Sequence, residues 1–238
     1  MDELIRFGTT YGGFYYPCNL YGLDKDSIIY CVGVGEDISH DIMIGNKLNS
    51  HIYLFDPTPR AIEHVKYVKN LFENKTEKVD NKRYGGGDVS YLEFLSKYKI
   101  KTDKIHMLNY GLFTENKILK FYKPSNNEYV SHSVVQHFTT SEEFINVEVK
   151  NLKTIMNEHG HTNIDLLKID IEGCECDVLE QMIEEKIFPK YLSVDFDLGW
   201  NCEKIKDRDR CLRTINLLIK NGYKQLHNEH SDYSFQRI

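Results

Sequence analysis

The feature that most constrains the fold is a short apolar run that ends in two closely spaced glycines. Residues 27–32 are almost continuously apolar, Gly33 and Gly35 follow, and the acidic pair Glu36 and Asp37 comes next. Such a run is typical of a strand buried on both faces of a parallel sheet. Glycines after the strand permit a tight turn and let the backbone approach a ligand closely. The segment therefore predicts an α/β protein with a ligand site at this turn.

Apolar runs and amphipathic stretches alternate along the rest of the chain. Further strands are predicted at 52–55, 104–109, 164–169 and 191–196. Helices are predicted at 41–48, 59–72, 91–98, 152–158, 176–186 and 208–221. The alternation indicates a doubly wound, mainly parallel sheet. Segments 222–226 and 233–237 are separated by polar residues and predict a terminal antiparallel pair, so the C-terminal strand is expected to be antiparallel.

The domain organisation is expected to be simple. A chain of 238 residues is long enough to bury one full core. We expect residues 1–26 to form an aromatic, glycine-rich N-terminal segment packed on a single Rossmann-like domain that spans 27–238. Segments 117–122 and 145–149 also run or alternate apolar and are expected to be edge strands.

Composition excludes several classes of partner. The net charge of −6 favours neither nucleic acid nor an anionic membrane. No apolar run approaches the ~20 residues that cross a bilayer, and the first residues lack the regions of a signal peptide. The six cysteines show no CxxC spacing, which indicates reduced thiols and a cytoplasmic location, with metal binding a minor alternative.

The residues around the glycine turn discriminate between cofactors. A dinucleotide fingerprint has a third glycine three places after the second, where this chain has Ile38. A pyrophosphate at this helix start would meet the charges of Glu36 and Asp37. An ammonium and a sulfonium would not be repelled, so the turn favours S-adenosylmethionine over NAD. A glycine turn without a ligand is the remaining alternative.

Carboxylates follow the other predicted strands. Asp56 ends the second strand and is expected to accept the ribose hydroxyls of an adenosine cofactor, or else to cap the next helix. Asp170 and Glu172 end the fourth strand, where one of them could act as general base. Asp170 could instead hold a divalent cation with Asp195, and Glu172 could cap the following helix.

His132 is the histidine with the clearest functional alternative. It lies between Ser131 and Ser133 in a polar segment. A solvent-exposed side chain is the default interpretation, and a contact with substrate or cofactor is the alternative.

Four segments together resemble the FkbM-type methyltransferases. They are Val32-Gly-Val-Gly-Glu-Asp-Ile-Ser39, Phe55-Asp-Pro-Thr-Pro-Arg60, Val130-Ser-His-Ser133 and Leu167-Lys-Ile-Asp-Ile-Glu-Gly173, supported by Tyr11-Gly-Gly-Phe14 and Tyr233-Ser-Phe235. The resemblance spans nearly the whole chain. It implies a class I fold and S-adenosylmethionine-dependent transfer of a methyl group to a hydroxyl of a small molecule, sugar or glycan.

The resemblance also assigns roles to residues. It implies that Gly33, Gly35, Glu36 and Asp56 hold the cofactor, that Asn109, Tyr110 and Gly111 lie near its adenosine, and that Asp170 and Glu172 lie near the methyl group. Many relatives carry Glu and His on the fifth strand, where this chain has Asp195 and Asp197. The identity of the base and the need for a divalent metal therefore stay open, and no metal ligand is assigned.

Three alternatives compete with this interpretation. A nicotinamide-dependent oxidoreductase would need the missing third glycine. A non-catalytic nucleoside-binding module would keep the cofactor pocket without turnover. A nucleic-acid methyltransferase is disfavoured by the acidic balance. The acceptor and the oligomeric state are not determined by the sequence.

Overall fold

The computed structural model describes residues 3–75, 90–126, 132–134, 140–196 and 205–238. The strands are β1 (Leu4–Phe7), β2 (Phe14–Pro17), β3 (Ile29–Val32), β4 (Ile52–Phe55), β5 (Ile105–Leu108), β6 (Gly111–Leu112), β7 (Lys117–Pro124), β8 (Thr140–Lys150), β9 (Leu166–Ile169), β10 (Tyr191–Asp195), β11 (Tyr223–Glu229) and β12 (Asp232–Arg237). The α-helices are α1 (Ser39–Leu48), α2 (Pro59–Phe72), α3 (Ser90–Leu95), α4 (Leu152–Glu158), α5 (Glu175–Glu184) and α6 (Ile205–Lys220).

Seven strands form the central sheet, in the order β5-β4-β3-β9-β10-β12-β11. The first five are parallel to one another, whereas β12 runs antiparallel to both β10 and β11. The expected doubly wound, mainly parallel sheet with an antiparallel C-terminal strand is confirmed. The chain order reverses between β3 and β9, and in open α/β sheets the crevice at such a reversal is where ligands bind.

The register of the sheet brings three strand ends to one edge. Val32 on β3 pairs with Phe55 on β4 and with Ile169 on β9. The next residues along the chain, Gly33, Asp56 and Asp170, therefore emerge side by side.

Two apolar clusters cover the two faces of the sheet. One contains residues of α1, α2, α3 and the N-terminal strands, together with Ile29 and Cys31 of β3. The other contains residues of α4, α5 and α6, together with Tyr30 and Val32. Because β3 is buried on both faces, its sequence is apolar throughout rather than alternating. Each large apolar side chain buried here contributes about 1.5–3 kcal/mol to folding.

The helices agree with the sequence prediction, with ends that differ from the predicted bounds by at most three residues. The predicted bounds 59–72 and 152–158 match α2 and α4. Helix α1 begins at Ser39, two residues before the predicted start. The reason is that Asp37 Oδ1 accepts a hydrogen bond from the Ser39 amide at 2.8 Å, which satisfies an amide donor at the helix start. None of the described helices is long and apolar enough to span a membrane.

The segments predicted as edge strands at 117–122 and 145–149 are strands, but they do not extend the central sheet. They form a separate sheet in the order β6-β8-β7, with Ile118 opposite Glu148 and Phe121 opposite Ile145. Alternating burial predicts strands but does not say which sheet they join. The insertion stands between β5 and β9, beside the edge where the ligand crevice is expected.

The N-terminal strands form an antiparallel hairpin, β1–β2. Its turn is fastened to the start of α1, because Thr9 donates its amide to Ser39 Oγ at 2.8 Å and its hydroxyl to Asp37 Oδ2 at 2.6 Å. At the other end, the Tyr16 hydroxyl hydrogen-bonds Ser193 Oγ on β10. The hairpin is thereby held over the face that carries α1.

Candidate active site

A cavity of about 290 Å³ lies at the edge where β3, β4 and β9 end. All but two of the predicted site residues line it, namely Gly33, Gly35, Glu36, Asp56, Gly111, His132, Asp170, Glu172 and Asp195. Residues brought from distant parts of the sequence therefore share one cavity, as the convergence of strand ends requires.

Asn109 and Tyr110 are the two predicted residues that do not line the cavity. The Tyr110 hydroxyl instead hydrogen-bonds His159 Nε2 at 2.9 Å, and its ring packs against Phe55 with centroids 5.7 Å apart. Lys150 Nζ lies 4.3 Å from the centre of the same ring. Strand β5 ends at Leu108, so the next turn of the chain directs Tyr110 toward α4 and leaves Gly111 to line the site.

Glycine is required at position 33 by the neighbouring backbone. Gly33 has a φ of +71°, and a Cβ placed on it would lie 1.5 Å from the carbonyl oxygen of Asp170. Its amide donates to Phe55 O at 2.9 Å. The glycine turn is therefore closely packed between the ends of β4 and β9, and both of its glycines line the cavity.

Asp56 organises the turn from the end of β4. Its Oδ2 accepts the Gly35 amide at 3.0 Å, and its Oδ1 accepts the Thr58 amide at 2.8 Å and hydroxyl at 2.6 Å. The residue at the N-cap of α2 is Thr58 rather than Asp56. A carboxylate oxygen can accept two hydrogen bonds, so Oδ2 retains acceptor capacity on the cavity side.

Glu36 is neutralised by a cation that the sequence interpretation missed. Arg60 binds both carboxylate oxygens, through Nε at 3.0 Å and a terminal nitrogen at 2.7 Å. Glu36 is only 5% exposed, and burial of a carboxylate is tolerated when such a bidentate partner is present. The two residues lie 24 positions apart, and only the buried acid in the turn hinted that a cation was required.

Asp37 belongs to the hairpin anchor. Burial raises the pKa of Asp37 above its ordinary value, opposed by the hydrogen bonds from Ser39 and Thr9. The same anchor brings Tyr11 and Gly12 of the β1–β2 turn to the cavity wall. The N-terminal hairpin is thus part of the site, and Thr9 is a second residue that sequence interpretation missed.

The loop after β9 has a strained backbone held by a buried carboxylate. Glu172 has a φ of +56°, a conformation that is uncommon for a residue with a side chain. Glu175 accepts the amides of Ile171 at 3.2 Å and Gly173 at 2.9 Å. Burial raises the pKa of Glu175 to about 8. Glu175 is thus the carboxylate that organises this loop, and both Asp170 and Glu172 line the cavity.

The second sheet supplies the outer wall. Tyr122 and Ser133 exchange backbone hydrogen bonds of 2.8 and 3.1 Å, which fixes the described segment 132–134 beside β7. Ser133 Oγ donates to the Glu172 carbonyl at 2.8 Å. His132, Val134 and Phe121 thereby face the cavity. The remaining residues of the FkbM-like motif here, Val130 and Ser131, lie outside the described residues.

Asp195 ends β10 and lies opposite Asp232 on β12. Burial, together with the charge of Asp170, raises the pKa of Asp232 to about 7. Several carboxyl groups therefore gather at this end of the cavity. Asp197, the other position at which the chain departs from many FkbM relatives, lies outside the described residues.

The arrangement gives no compact metal site at Asp170 and Asp195 within the part of the chain that the structure describes. There, the group of three metal-capable side chains whose ligand atoms all lie within 4.8 Å of one another is Cys31, His40 and Asp41, all fully buried. His40 Nδ1 lies 3.2 Å from Asp41 Oδ1. The suggestion of a cation held by Asp170 and Asp195 stays a hypothesis without such a group behind it.

Lys168 is the third residue that sequence interpretation missed. It lines the cavity, is 2% exposed and donates from Nζ to the Gly33 carbonyl at 3.2 Å. Burial opposes its charge, but the carboxylates of Asp41 and Asp170 outweigh that effect and raise the pKa of Lys168 above its ordinary value. A lysine inside an otherwise apolar strand was the available signal.

The solved structures to which this chain is similar share little of its sequence. An rRNA methylase from Streptococcus thermophilus is 7% identical, with 92% of each chain covered and a TM-score of 0.44. The Methanococcus jannaschii fibrillarin, a pre-rRNA processing protein, is 12% identical over 100% of this chain and 82% of that one, with a TM-score of 0.41. The Aeropyrum pernix fibrillarin, solved with natively bound S-adenosyl-L-methionine, has the same identity and coverage and a TM-score of 0.39.

Comparison of the sequence with known protein families identifies the family of this chain. A search of curated proteins found no significant match. The family model described as "Methyltransferase FkbM domain" matches residues 31–218, which include the glycine turn, Asp56 and the Asp170–Glu172 loop. The family expected from the sequence is confirmed: the chain belongs to the FkbM methyltransferase family and is an S-adenosylmethionine-dependent methyltransferase.

Proposed function

We propose that this protein transfers a methyl group from S-adenosylmethionine to a hydroxyl oxygen of a sugar, free or within a glycan. The observation that carries the proposal is that one cavity joins the glycine turn to Asp170, Glu172, Asp195 and His132. The cofactor turn and a set of groups able to accept a proton are therefore neighbours, as methyl transfer to a hydroxyl requires.

The residues present fit the cofactor. Gly33 and Gly35 line the cavity with backbone, and Asp56 retains an acceptor position at Oδ2 that suits a ribose hydroxyl. Phe55, Gly111 and Leu112 add apolar surface for an adenine ring. We assign Gly33, Gly35 and Asp56 to the cofactor. Glu36 lines the same cavity and accepts one hydrogen bond from Arg60 at each oxygen, so each oxygen retains an acceptor position and we assign Glu36 to the cofactor as well.

The electrostatics of the cavity also favour this cofactor. With Glu36 paired to Arg60, the acidic groups that face the reactive end are Asp170, Glu172 and Asp195. Negative charge there favours a cationic ligand over a pyrophosphate. S-adenosylmethionine supplies an electrophilic methyl group on a sulfonium, and this environment is suited to a positive charge.

Asp170 is our candidate for the general base. It follows Ile169 directly at the sheet reversal, and its position next to Gly33 places it beside the cofactor turn. Glu172, Asp195 and His132 line the same end and would bind and orient hydroxyl groups of the acceptor. A sugar has several hydroxyls to be held, and a cluster of carboxylates and one imidazole can accept hydrogen bonds from them.

The competing functions make different predictions. The FkbM family membership argues against a nicotinamide-dependent oxidoreductase. The net charge of −6 argues against a polyanionic nucleic-acid acceptor. A non-catalytic module would bind the cofactor without turnover.

Labelled methyl transfer tests the proposal. The protein is incubated with S-adenosylmethionine carrying an isotopic methyl group and, in parallel, with a panel of sugars and glycans, with total RNA, and with no acceptor. We expect the label in a sugar at an oxygen, located by mass spectrometry and NMR, and its loss in Asp170→Asn. Label in RNA or on nitrogen, or cofactor binding with no labelled sugar across the panel, would overturn the acceptor proposal.

A further inference from the structure

We propose that Lys168 binds the carboxylate of the cofactor's methionine moiety. The inference rests on the placement of the cofactor at the glycine turn that is proposed above. It gives a ligand contact to a buried lysine that bonds to the glycine turn and that has no role in the function proposed above.

The carboxylate needs a cation because the cavity is rich in negative charge. Glu36, Asp37, Asp170, Glu172 and Asp195 are all among its lining residues. A carboxylate brought there from water would lose hydration and meet like charges, which is unfavourable without a cation or several N–H donors.

Three of the backbone amides near the start of α1 already donate to acceptors within the protein. The Ser39 amide donates to Asp37 Oδ1 at 2.8 Å and the Ile38 amide to the Tyr91 hydroxyl at 3.2 Å. The Gly35 amide donates to Asp56. These amides would otherwise be the obvious partners of a carboxylate at the N-terminus of α1.

Lys168 has the donors that are needed. An ammonium carries three N–H groups, and in the described part of the chain the hydrogen bond that Lys168 Nζ donates is the one to Gly33 O. The side chain is almost fully buried yet lines the cavity. The other strong cation near the turn, Arg60, binds Glu36. Lys168 thus places an ammonium group at the turn, bonded to the Gly33 carbonyl and lining the cavity.

The methionine moiety of the cofactor carries an ammonium and a carboxylate, and Asp170 and Lys168 carry the complementary charges. Lys168 lies on β9 and Asp170 directly follows its last residue, Ile169, and positions two apart along a strand point to the same side of the sheet. Opposite charges so placed can bind the two charges of a zwitterion. The cofactor's ammonium would face Asp170, and its carboxylate would face Lys168.

The competing explanation is that Lys168 is only a counter-ion for the carboxylates of buried Asp41 and half-buried Asp170, which already stabilise its charge. The two explanations differ in one respect. A ligand contact makes the effect of Lys168 depend on the ligand's carboxylate, whereas a structural role affects all ligands of the site equally.

Calorimetry with two ligands distinguishes a ligand contact of Lys168 from a purely structural role. S-adenosylhomocysteine and its decarboxylated analogue, which lacks only the carboxylate, are titrated into the wild type and into Lys168→Met. We expect the wild type to bind S-adenosylhomocysteine at least tenfold more tightly than the analogue, and this preference to disappear in the variant. An equal loss of affinity for both ligands would assign Lys168 a structural role and overturn the proposal.

Lys69→Met is the matched control. Lys69 is also partly buried and donates from Nζ to a backbone carbonyl, that of Ile105 at 2.9 Å, but it does not line the cavity. The preference should be unchanged in this variant. Circular dichroism and thermal unfolding report whether each variant folds.

The wild-type comparison keeps the proposal falsifiable if Lys168→Met does not fold. A wild type that binds the decarboxylated analogue as tightly as S-adenosylhomocysteine has no carboxylate site. No acceptor is used, so a failure to methylate sugars would count only against the proposed acceptor. No binding of S-adenosylhomocysteine at all would overturn both proposals.

Discussion

The carbonyl oxygen of Asp170 occupies the space where Gly33 would carry a Cβ, with 1.5 Å between the two positions. Strand β9 therefore packs directly against the turn that follows β3. Any side chain at position 33 must displace the backbone that carries the proposed base.

Gly33→Ala should abolish cofactor binding and destabilise the fold by more than about 2 kcal/mol, because it adds a backbone clash to the cost of a positive φ. Gly160→Ala is the control, since Gly160 has nearly the same φ, +68°, but open space around its Cβ position. Gly160→Ala should lower the free energy of unfolding by only about 1–2 kcal/mol. Chemical denaturation measures the free energy of unfolding of both variants. Equal losses in the two variants would contradict a steric role for Asp170.

Asp56→Ala should weaken cofactor affinity by at least about tenfold, because it removes a candidate ribose acceptor and frees the Gly35 amide. Calorimetry with S-adenosylhomocysteine measures this directly. Thr58→Val, which removes the hydroxyl bonded to Asp56 Oδ1, should have a smaller effect. Unchanged affinity in Asp56→Ala would remove Asp56 from the cofactor site.

Asp170→Asn should slow the chemical step by a larger factor than it weakens cofactor binding, which loses only the charge that faces the cofactor's ammonium. General-base groups typically contribute about 10²–10⁴-fold to rate, so a loss of that size is expected in single-turnover methylation. A variant with normal turnover and impaired cofactor binding would reverse the roles assigned to Asp56 and Asp170.

Arg60→Met should destabilise the protein by about 1–3 kcal/mol, because it leaves Glu36 buried without its cation. Arg60→Lys should recover only part of this loss, since an ammonium cannot bind both oxygens in the same fork. Adding Glu36→Gln to Arg60→Met should restore stability. Additive losses in the double variant, measured by urea denaturation, would show that the pair is not coupled.

The stability of the protein should depend on pH through Glu175. Burial raises its pKa from 4.5 to about 8 in the folded protein. The folded state therefore holds a proton that the unfolded state releases between those values. The stabilisation that this proton provides is complete below about pH 4.5 and is lost as the pH rises through about 8. Between these values the free energy of unfolding falls by up to about 1.4 kcal/mol per pH unit.

Glu175→Gln isolates that contribution, because the amide keeps an acceptor for the Ile171 and Gly173 amides but does not titrate. Urea unfolding between pH 5 and 8 should show the wild type losing stability relative to the variant as pH rises. Parallel pH profiles for the two proteins would show that Glu175 is ionised in the folded state.

The parts of the site that follow from single strands were predictable. Gly33, Asp56 and Asp170 each come directly after an apolar run, and parallel pairing of Val32 with Phe55 and Ile169 then aligns them. Adjacent position in the sequence and sheet geometry are sufficient here.

The partners of the turn were not predictable, because they depend on packing. Arg60 reaches Glu36 from the next helix, Thr9 reaches Asp37 from the hairpin, and Lys168 reaches Gly33 from β9. The sequence shows a buried charge that needs a partner without showing which residue supplies it. The same limit explains Tyr110, whose side chain follows a change of direction after β5 that has no local signal.

Ser133 links the inserted sheet β6-β8-β7 to the loop that follows β9. It bonds to Tyr122 on the inserted sheet through the backbone and to the Glu172 carbonyl through its hydroxyl. A longer or differently shaped insertion, made to accommodate a different acceptor, would therefore displace the strained loop that contains Glu172. Redesign of acceptor choice in this protein must therefore keep the Ser133 junction fixed and confine changes to side chains such as Phe121, or accept a slower reaction along with the new substrate.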